Sequence, residues 1–155
     1  MSRKPPAALL DDVSKAIITE LQRDGRRSYA AIGKVVGLSE AAVRQRVQRL
    51  SDAGVMQVVA VTDPLQLGFA RQAMVGLRVS GTLEPVADAV AELPEVDYVV
   101  VTAGSYDLLV EVVCESDAHL LDLLSNQIRT IPGVVATETF MYLQLRKQTY
   151  SWGVR

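Results

Sequence analysis

The chain of 155 residues has one cysteine, one histidine and one tryptophan. A single cysteine, Cys114, excludes an internal disulfide and a cysteine-based zinc site. It sits in the apolar run Leu108–Cys114, which reads as a reduced, buried thiol rather than a reactive one. The lone His119 has no neighbouring ligand set for a metal or a haem. No apolar run reaches the ~18 residues that a membrane span needs. Met1 to Ala8, with two basic residues and two prolines, is not followed by a signal-peptide core. A cytoplasmic protein without a membrane partner is expected. No nucleophile–base pair is visible, and the glycines match neither a Walker loop nor a dinucleotide fingerprint, so no enzyme and no cofactor are expected.

Apolar residues make up 49 % of the chain, enough for a real core, and charged residues 22 %. The net charge of −2 hides a split. Residues 1–54 hold ten Lys/Arg against six Asp/Glu, leaving six against twelve for residues 55–155. A basic half joined to an acidic half is a cue for nucleic-acid binding by the first.

Within that basic half, Val13, Ala16, Ile17 and Leu21 recur at helical spacing, with Asp11 or Asp12 available as N-cap. Gly25 is placed to end this helix. Ser28 caps a second helix, Tyr29 to Val36, and Gly37-Leu38 forms a tight turn. Ser39 caps a third helix, which runs to about Ala53 and stops at Gly54. Two short helices joined by a glycine turn form a helix-turn-helix. On the third helix Val43, Val47 and Leu50 make one narrow stripe for burial. The opposite face centres on Ala41, Gln45 and Gln48, flanked by Arg44 and Arg49, while Arg46 lies at the edge of the buried stripe. Amides and guanidinium groups around a small residue suit the major groove, where Gln pairs with adenine and Arg with guanine or phosphate. The helix-opening residues Ser28, Tyr29 and Ser39 complete the candidate DNA-contacting set. Val55–Val61, rich in β-branched residues, reads as a strand that would form a wing or begin a dimer contact.

The second half reads as strand-helix-strand-strand-helix-strand: Arg71–Val79, Leu83–Leu93, Val96–Thr102, Leu108–Cys114, Asp117–Thr130 and roughly Val134–Gln148. That order is ferredoxin-like. The fold class is therefore α+β, with a winged helix-turn-helix at residues 1–61, a linker at 62–70 and a sensing and oligomerisation domain at 71–155. Helices cover such a sheet on one face, so the apolar strands call for sheet-to-sheet pairing of two copies. The turn Gly104–Asp107 has two readings. It is a hairpin loop shaped by Gly and Asp, or a backbone nest that holds a ligand carboxylate while Asp107 pairs with an ammonium. Tyr150 and Trp152 lie in a tail that either packs on a neighbouring subunit or is disordered.

Three segments then match a known pattern in order and spacing. The first is Ala31-Ile32-Gly33 through Gly37-Leu38-Ser39, followed by Ala42-Val43-Arg44-Gln45-Arg46-Val47-Gln48-Arg49-Leu50 and Gly54-Val55-Met56. The second is Thr102-Ala103-Gly104-Ser105-Tyr106-Asp107, in the place of a Gly-x-Tyr-Asp loop. The third is Thr137-Glu138-Thr139, after Ile131-Pro132-Gly133-Val134. From about Leu10 to Gly153 the chain resembles the leucine-responsive regulator/asparagine-activator (Lrp/AsnC) family of transcription factors. The resemblance implies a winged helix-turn-helix on double-stranded, palindromic operator DNA, at the nucleoid. It implies homodimers built by sheet pairing, often assembled to octamers, and an amino-acid effector held between dimers. Carried over, the effector contacts are Gly104, Ser105, Tyr106 and Asp107, with Thr137 and Thr139 as further candidates. Ser105 stands where many relatives have an acidic or other polar residue. The alternatives are a DNA-architectural protein with little sequence preference, or an enzyme on a dimeric ferredoxin-like sheet.

Overall fold

The computed structural model describes residues 9–149 and 153–154. Tyr150, Trp152 and the Met1 to Ala8 segment lie outside the described residues. The chain divides into two compact units: one runs up to Val61 and takes in the chain from Lys147 on, the other spans Thr62–Arg146. Residues 147–149 thus group with the helical unit, and the 62–70 segment, with a 3₁₀ turn at Pro64–Leu67, groups with the sheet.

The helical unit consists of α1 (Asp12–Arg23), α2 (Tyr29–Val36) and α3 (Glu40–Asp52). Each begins on a short polar side chain that accepts a hydrogen bond from an otherwise orphaned backbone N–H. Asp11 accepts from Ser14 N at 2.8 Å, Ser28 from Ala31 N and Ser39 from Ala42 N, both at 3.2 Å. Gly37 ends α2 at φ 72°, a left-handed conformation that a side chain would oppose. Ile17, Leu21, Ile32, Val43 and Val47 form the buried cluster, with Val13, Tyr29, Val36, Leu38 and Met56 packed around it. Val43, Val47 and Leu50 are the buried residues of α3, so its expected apolar stripe is the one that faces inward.

Val55–Val61 is not a strand. Its β-branched residues favour extended backbone, but a strand also needs a ladder partner for its N–H and C=O groups, and among the described residues none pairs with it. Val58, Val59 and Val61 are exposed. No strand-built wing is therefore present among the described residues.

The second unit is a four-stranded antiparallel sheet in the order β2-β3-β1-β4, with β1 Arg71–Val79, β2 Val96–Val101, β3 Leu108–Cys114 and β4 Val134–Met141. Two helical crossovers lie on one face. α4 (Leu83–Ala91) stops two residues short of the expected Leu93. α5 (Asp117–Asp122) continues through a wider π turn, Leu123–Gln127, and a 3₁₀ turn, Ile128–Thr130. Strand alternation sends Ala73, Val75, Leu77, Leu108, Val110, Val112 and Cys114 under the helices, against Val86, Val90, Leu120, Leu123 and Ile128. Each buried Val, Leu or Ile among them contributes about 1.5–3 kcal/mol by its burial. β4 ends earlier than the expected Gln148 because its partner runs out: Met141 pairs with Ala73, Tyr142 N still donates to Gln72 O, and the chain then leaves the sheet. The other face, which includes Gln72, Met74, Gly76 and Arg78 of β1, is turned away from α4 and α5. There, burial and then the neighbouring Glu111 push the Tyr142 phenol up to about 12.

Among the described residues no helix is long and apolar enough to cross a membrane.

Candidate functional site

The residues expected to contact DNA fall into two groups. Ala41, Arg44, Gln45, Gln48 and Arg49 all lie exposed on α3, on the side away from its buried stripe. Ser28 and Ser39 hold their hydroxyls on the backbone as N-caps, placing the N-termini of α2 and α3. Tyr29 opens α2, half-buried, and the Arg44 guanidinium carbon lies 5.2 Å from its ring centroid. Arg44 also donates to Glu40 at 2.8 Å, and Gln48 Nε2 donates to Asp52 at 2.7 Å. Glu40 was not foreseen, although its place four residues before Arg44 was a readable signal.

Arg46, left at the edge of the stripe by the sequence, points inward. Its Nη1 donates to both Asp11 carboxylate oxygens at 2.8 Å and to Ser14 Oγ at 2.9 Å. The N-cap of α1 is thereby tied to the middle of α3. A second carboxylate, Glu20, is buried and ion-pairs with Arg23 at 3.2 Å and with Arg27 in the α1–α2 loop. Part of the basic excess of this half is therefore spent on internal bracing.

The Asp11 pair has a pH signature. The Ser14 N–H and the Arg46 guanidinium lower the Asp11 carboxyl from 3.8 to about 2. A carboxyl depressed in the folded state stabilises it above the unfolded pKa, and that contribution is lost as pH falls through the folded value. The helical unit should therefore weaken between about pH 4 and pH 2. In Asp11→Asn that part of the acid dependence should disappear, which acid titration followed by far-UV circular dichroism will read.

The residues expected to contact an effector are split between the two faces of the sheet. Thr137 and Thr139 of β4 pair with Leu77 and Val75, so they share the helix-covered face. There Thr137 Oγ1 accepts from Arg129 Nε at 3.0 Å. Tyr106 lies on the opposite face, its ring laid over Gly76, where an added Cβ would stand 2.6 Å from Tyr106 Cγ. Its ring meets Phe140 edge-on with centroids 5.9 Å apart, its hydroxyl donates to Glu138, and the Arg78 guanidinium lies 5.9 Å from its centroid. Gly76, Arg78, Glu138 and Phe140 were missed as partners of Tyr106, since their proximity depends on strand register.

Gly104 and Ser105 are exposed in the loop. None of residues 103–107 has a positive φ, so the alternation of an αR–αL nest is absent. Asp107 is committed to the sheet: its Oδ2 accepts from Val79 N at 2.8 Å and its own N–H donates to Leu77 O at 2.9 Å. His119 Nε2 lies 2.9 Å from Glu95 Oε1. Cys114 is buried, and burial followed by the Glu95 charge pushes its thiol up, the reverse of a reactive thiolate. Among the described residues no group of three or more His, Cys, Asp or Glu side chains could hold a metal ion.

Two family models match the sequence. One is the AsnC-type helix-turn-helix domain, over residues 10–51, and the other a C-terminal dimeric alpha+beta barrel domain of AsnC-type regulators, over residues 70–155. The HTH-type transcriptional regulator FL11 of Pyrococcus horikoshii is 34% identical over 142 residues, 90% of this chain and 93% of that protein. The structure of the Mycobacterium tuberculosis leucine response regulatory protein LrpA superimposes with a TM-score of 0.82 at 29% identity, covering 90% of this chain and 96% of that one. A complex of the Neisseria meningitidis regulator NMB0573 with L-Met has the same fold, with a TM-score of 0.78 at 24% identity over 92% of this chain and 95% of that one.

Proposed function

This chain belongs to the Lrp/AsnC family of helix-turn-helix transcriptional regulators, and from that premise we propose that it binds a palindromic operator through the exposed face of α3 and answers to an amino acid. It is a regulator and not an enzyme, as its relatives are named. The C-terminal domain is of a dimeric type, so the working unit is a homodimer. Assembly of dimers to an octamer belongs to the proposal, as does its action at the nucleoid in the cytoplasm.

The observation that carries the DNA reading is the division of α3. Val43, Val47 and Leu50 are buried, while Ala41, Arg44, Gln45, Gln48 and Arg49 stand exposed on the other side. A small residue at the centre lets the backbone approach base edges, and the flanking amides and guanidinium groups offer donors there. Two-fold symmetry of a dimer presents two such helices, which is why the operator is proposed to be palindromic. For the effector, the 104–107 loop supplies the contacts, with exposed Ser105 as the side chain free to vary with ligand. The Neisseria meningitidis protein of this fold binds L-Met, which supports the ligand class.

The test is binding of the purified protein to DNA from upstream of its own gene, against random duplex. A preference of ~10³-fold or more is expected for a sequence-specific regulator. Equal, weak binding to both duplexes with a steep salt dependence would support an architectural role instead. In Arg49→Ala, affinity for the selected site should fall by about 1–3 kcal/mol with the oligomer intact. An unchanged affinity would remove Arg49 from the interface.

A further inference from the structure

We infer that Glu40 is a specificity-determining residue that selects a cytosine in each half-site, acting together with Arg44 on one C·G pair. The inference rests on the DNA-binding reading of α3.

Glu40 is the first residue of α3, next to the Ser39 cap, and it is exposed. Residues at the N-terminal end of a recognition helix are the ones that reach base edges. The carboxylate is held in place: its Oε1 accepts from Arg44 Nη2 at 2.8 Å, and the Arg44 guanidinium in turn lies over the Tyr29 ring at the start of α2. Among the described residues Oε2 makes no hydrogen bond. The side chains of both Glu40 and Arg44 are more than half exposed, at 52% and 65%, so the ion pair adds little to stability.

A carboxylate on a DNA-facing surface is opposed by the phosphates. The helix N-terminus and the Arg44 guanidinium favour it in the free protein, but against the phosphates it gains in the complex where a base offers it a donor. In the major groove guanine presents two acceptors, and thymine an acceptor and a methyl group. Adenine sets its N7 acceptor beside its N6 amino group, so a carboxylate placed there meets repulsion as well as attraction. Cytosine offers its N4 amino group without an adjacent acceptor on the same base, which fits a group that accepts only. The guanine of that same pair presents O6 and N7 to a guanidinium. Arg44, oriented by Glu40 and Tyr29, has the remaining N–H groups of its fork for that role.

The experiment selects binding sites from a randomised duplex pool with the full-length protein and with Glu40→Ala, then measures affinity for the selected and a random duplex. The Ser39 cap that starts α3 is untouched in the variant. The wild-type motif is expected to contain a C·G pair, once per half-site, that Glu40→Ala no longer demands. Discrimination at that position should fall about tenfold or more. Affinity for random duplex should hold or rise, because a negative charge has left the surface. A variant that keeps the wild-type preference at every position would overturn the inference alone. So would a parallel loss of affinity for selected and random duplex, the mark of a merely structural role. A wild-type protein that returns no motif would overturn the sequence-specific reading of α3 and this inference with it.

Discussion

Gly33→Ala is expected to cost the helical unit about 3 kcal/mol and with it DNA binding, although the same change in an ordinary helix interior would be stabilising. Replacing a mid-helix glycine by alanine normally gains about 0.5–1 kcal/mol through the entropy of the unfolded chain. Here an added Cβ would stand 2.4 Å from the Leu38 carbonyl oxygen. That oxygen is backbone, so no rotamer change relieves the contact. The Leu38 N–H meanwhile donates to Gly33 O at 2.9 Å, which ties the turn against α2 at this point. Moving Leu38 away breaks that bond and displaces Ser39, whose hydroxyl caps α3. The substitution therefore acts on the angle between the two helices rather than on α2 itself. Gly37→Ala is the informative contrast. Gly37 has φ 72° but nothing within 4 Å of its would-be Cβ, so only the left-handed penalty of about 1 kcal/mol applies. Urea unfolding of both variants, with operator binding alongside, should rank Gly33→Ala well below Gly37→Ala. The reverse ranking would mean that the close approach of α2 to the turn is not what sets their geometry.

The contrast also marks what was readable in the sequence. The stripe of Val43, Val47 and Leu50 was legible because helical periodicity is a local property, and so were the caps at Ser28 and Ser39. The order of sheet and helices in the second unit followed from the alternation of short apolar runs with amphipathic ones. Properties that depend on a distant partner were not legible. Val55–Val61 has the composition of a strand, and among the described residues of this chain no ladder makes it one. Arg46 pairs with Asp11 across 35 residues, and no pattern in either segment announces the other. For the effector candidates the alternation did carry information. Thr137 and Thr139 must share a face and Glu138 must oppose them. Which face the helices cover, and that Tyr106 folds over Gly76 beside Glu138, is decided by packing between β1, β4 and the 104–107 loop.

That packing changes how an effector test at Asp107 must be read. Asp107→Ala is expected to destabilise the sheet unit by about 2 kcal/mol whether or not Asp107 ever meets a ligand. Its carboxylate accepts from Val79 N at 2.8 Å, where β1 passes beyond its pairing with β3. Its backbone joins Leu77 on one side and Thr102 on the other, each at 2.9 Å. Truncation leaves the Val79 N–H without its acceptor and loosens the loop that Tyr106 pins to β4. Loss of a ligand response in Asp107→Ala would then report the loop and not the contact. Asp107→Asn separates the two effects, because the amide oxygen still accepts from Val79 N while the negative charge is gone. Its stability should stay within about 1 kcal/mol of wild type in urea unfolding. Calorimetry across the twenty standard amino acids can then be run on wild type and on Asp107→Asn together. If the asparagine variant is stable and no longer binds, the Asp107 charge engages the ammonium group of the ligand while its other oxygen holds β1. If it binds as well as wild type, the loop contributes by its shape, and the carboxylate is there for Val79. No heat with any amino acid on the wild-type protein would remove that effector class and leave the DNA reading, which rests on α3, untouched.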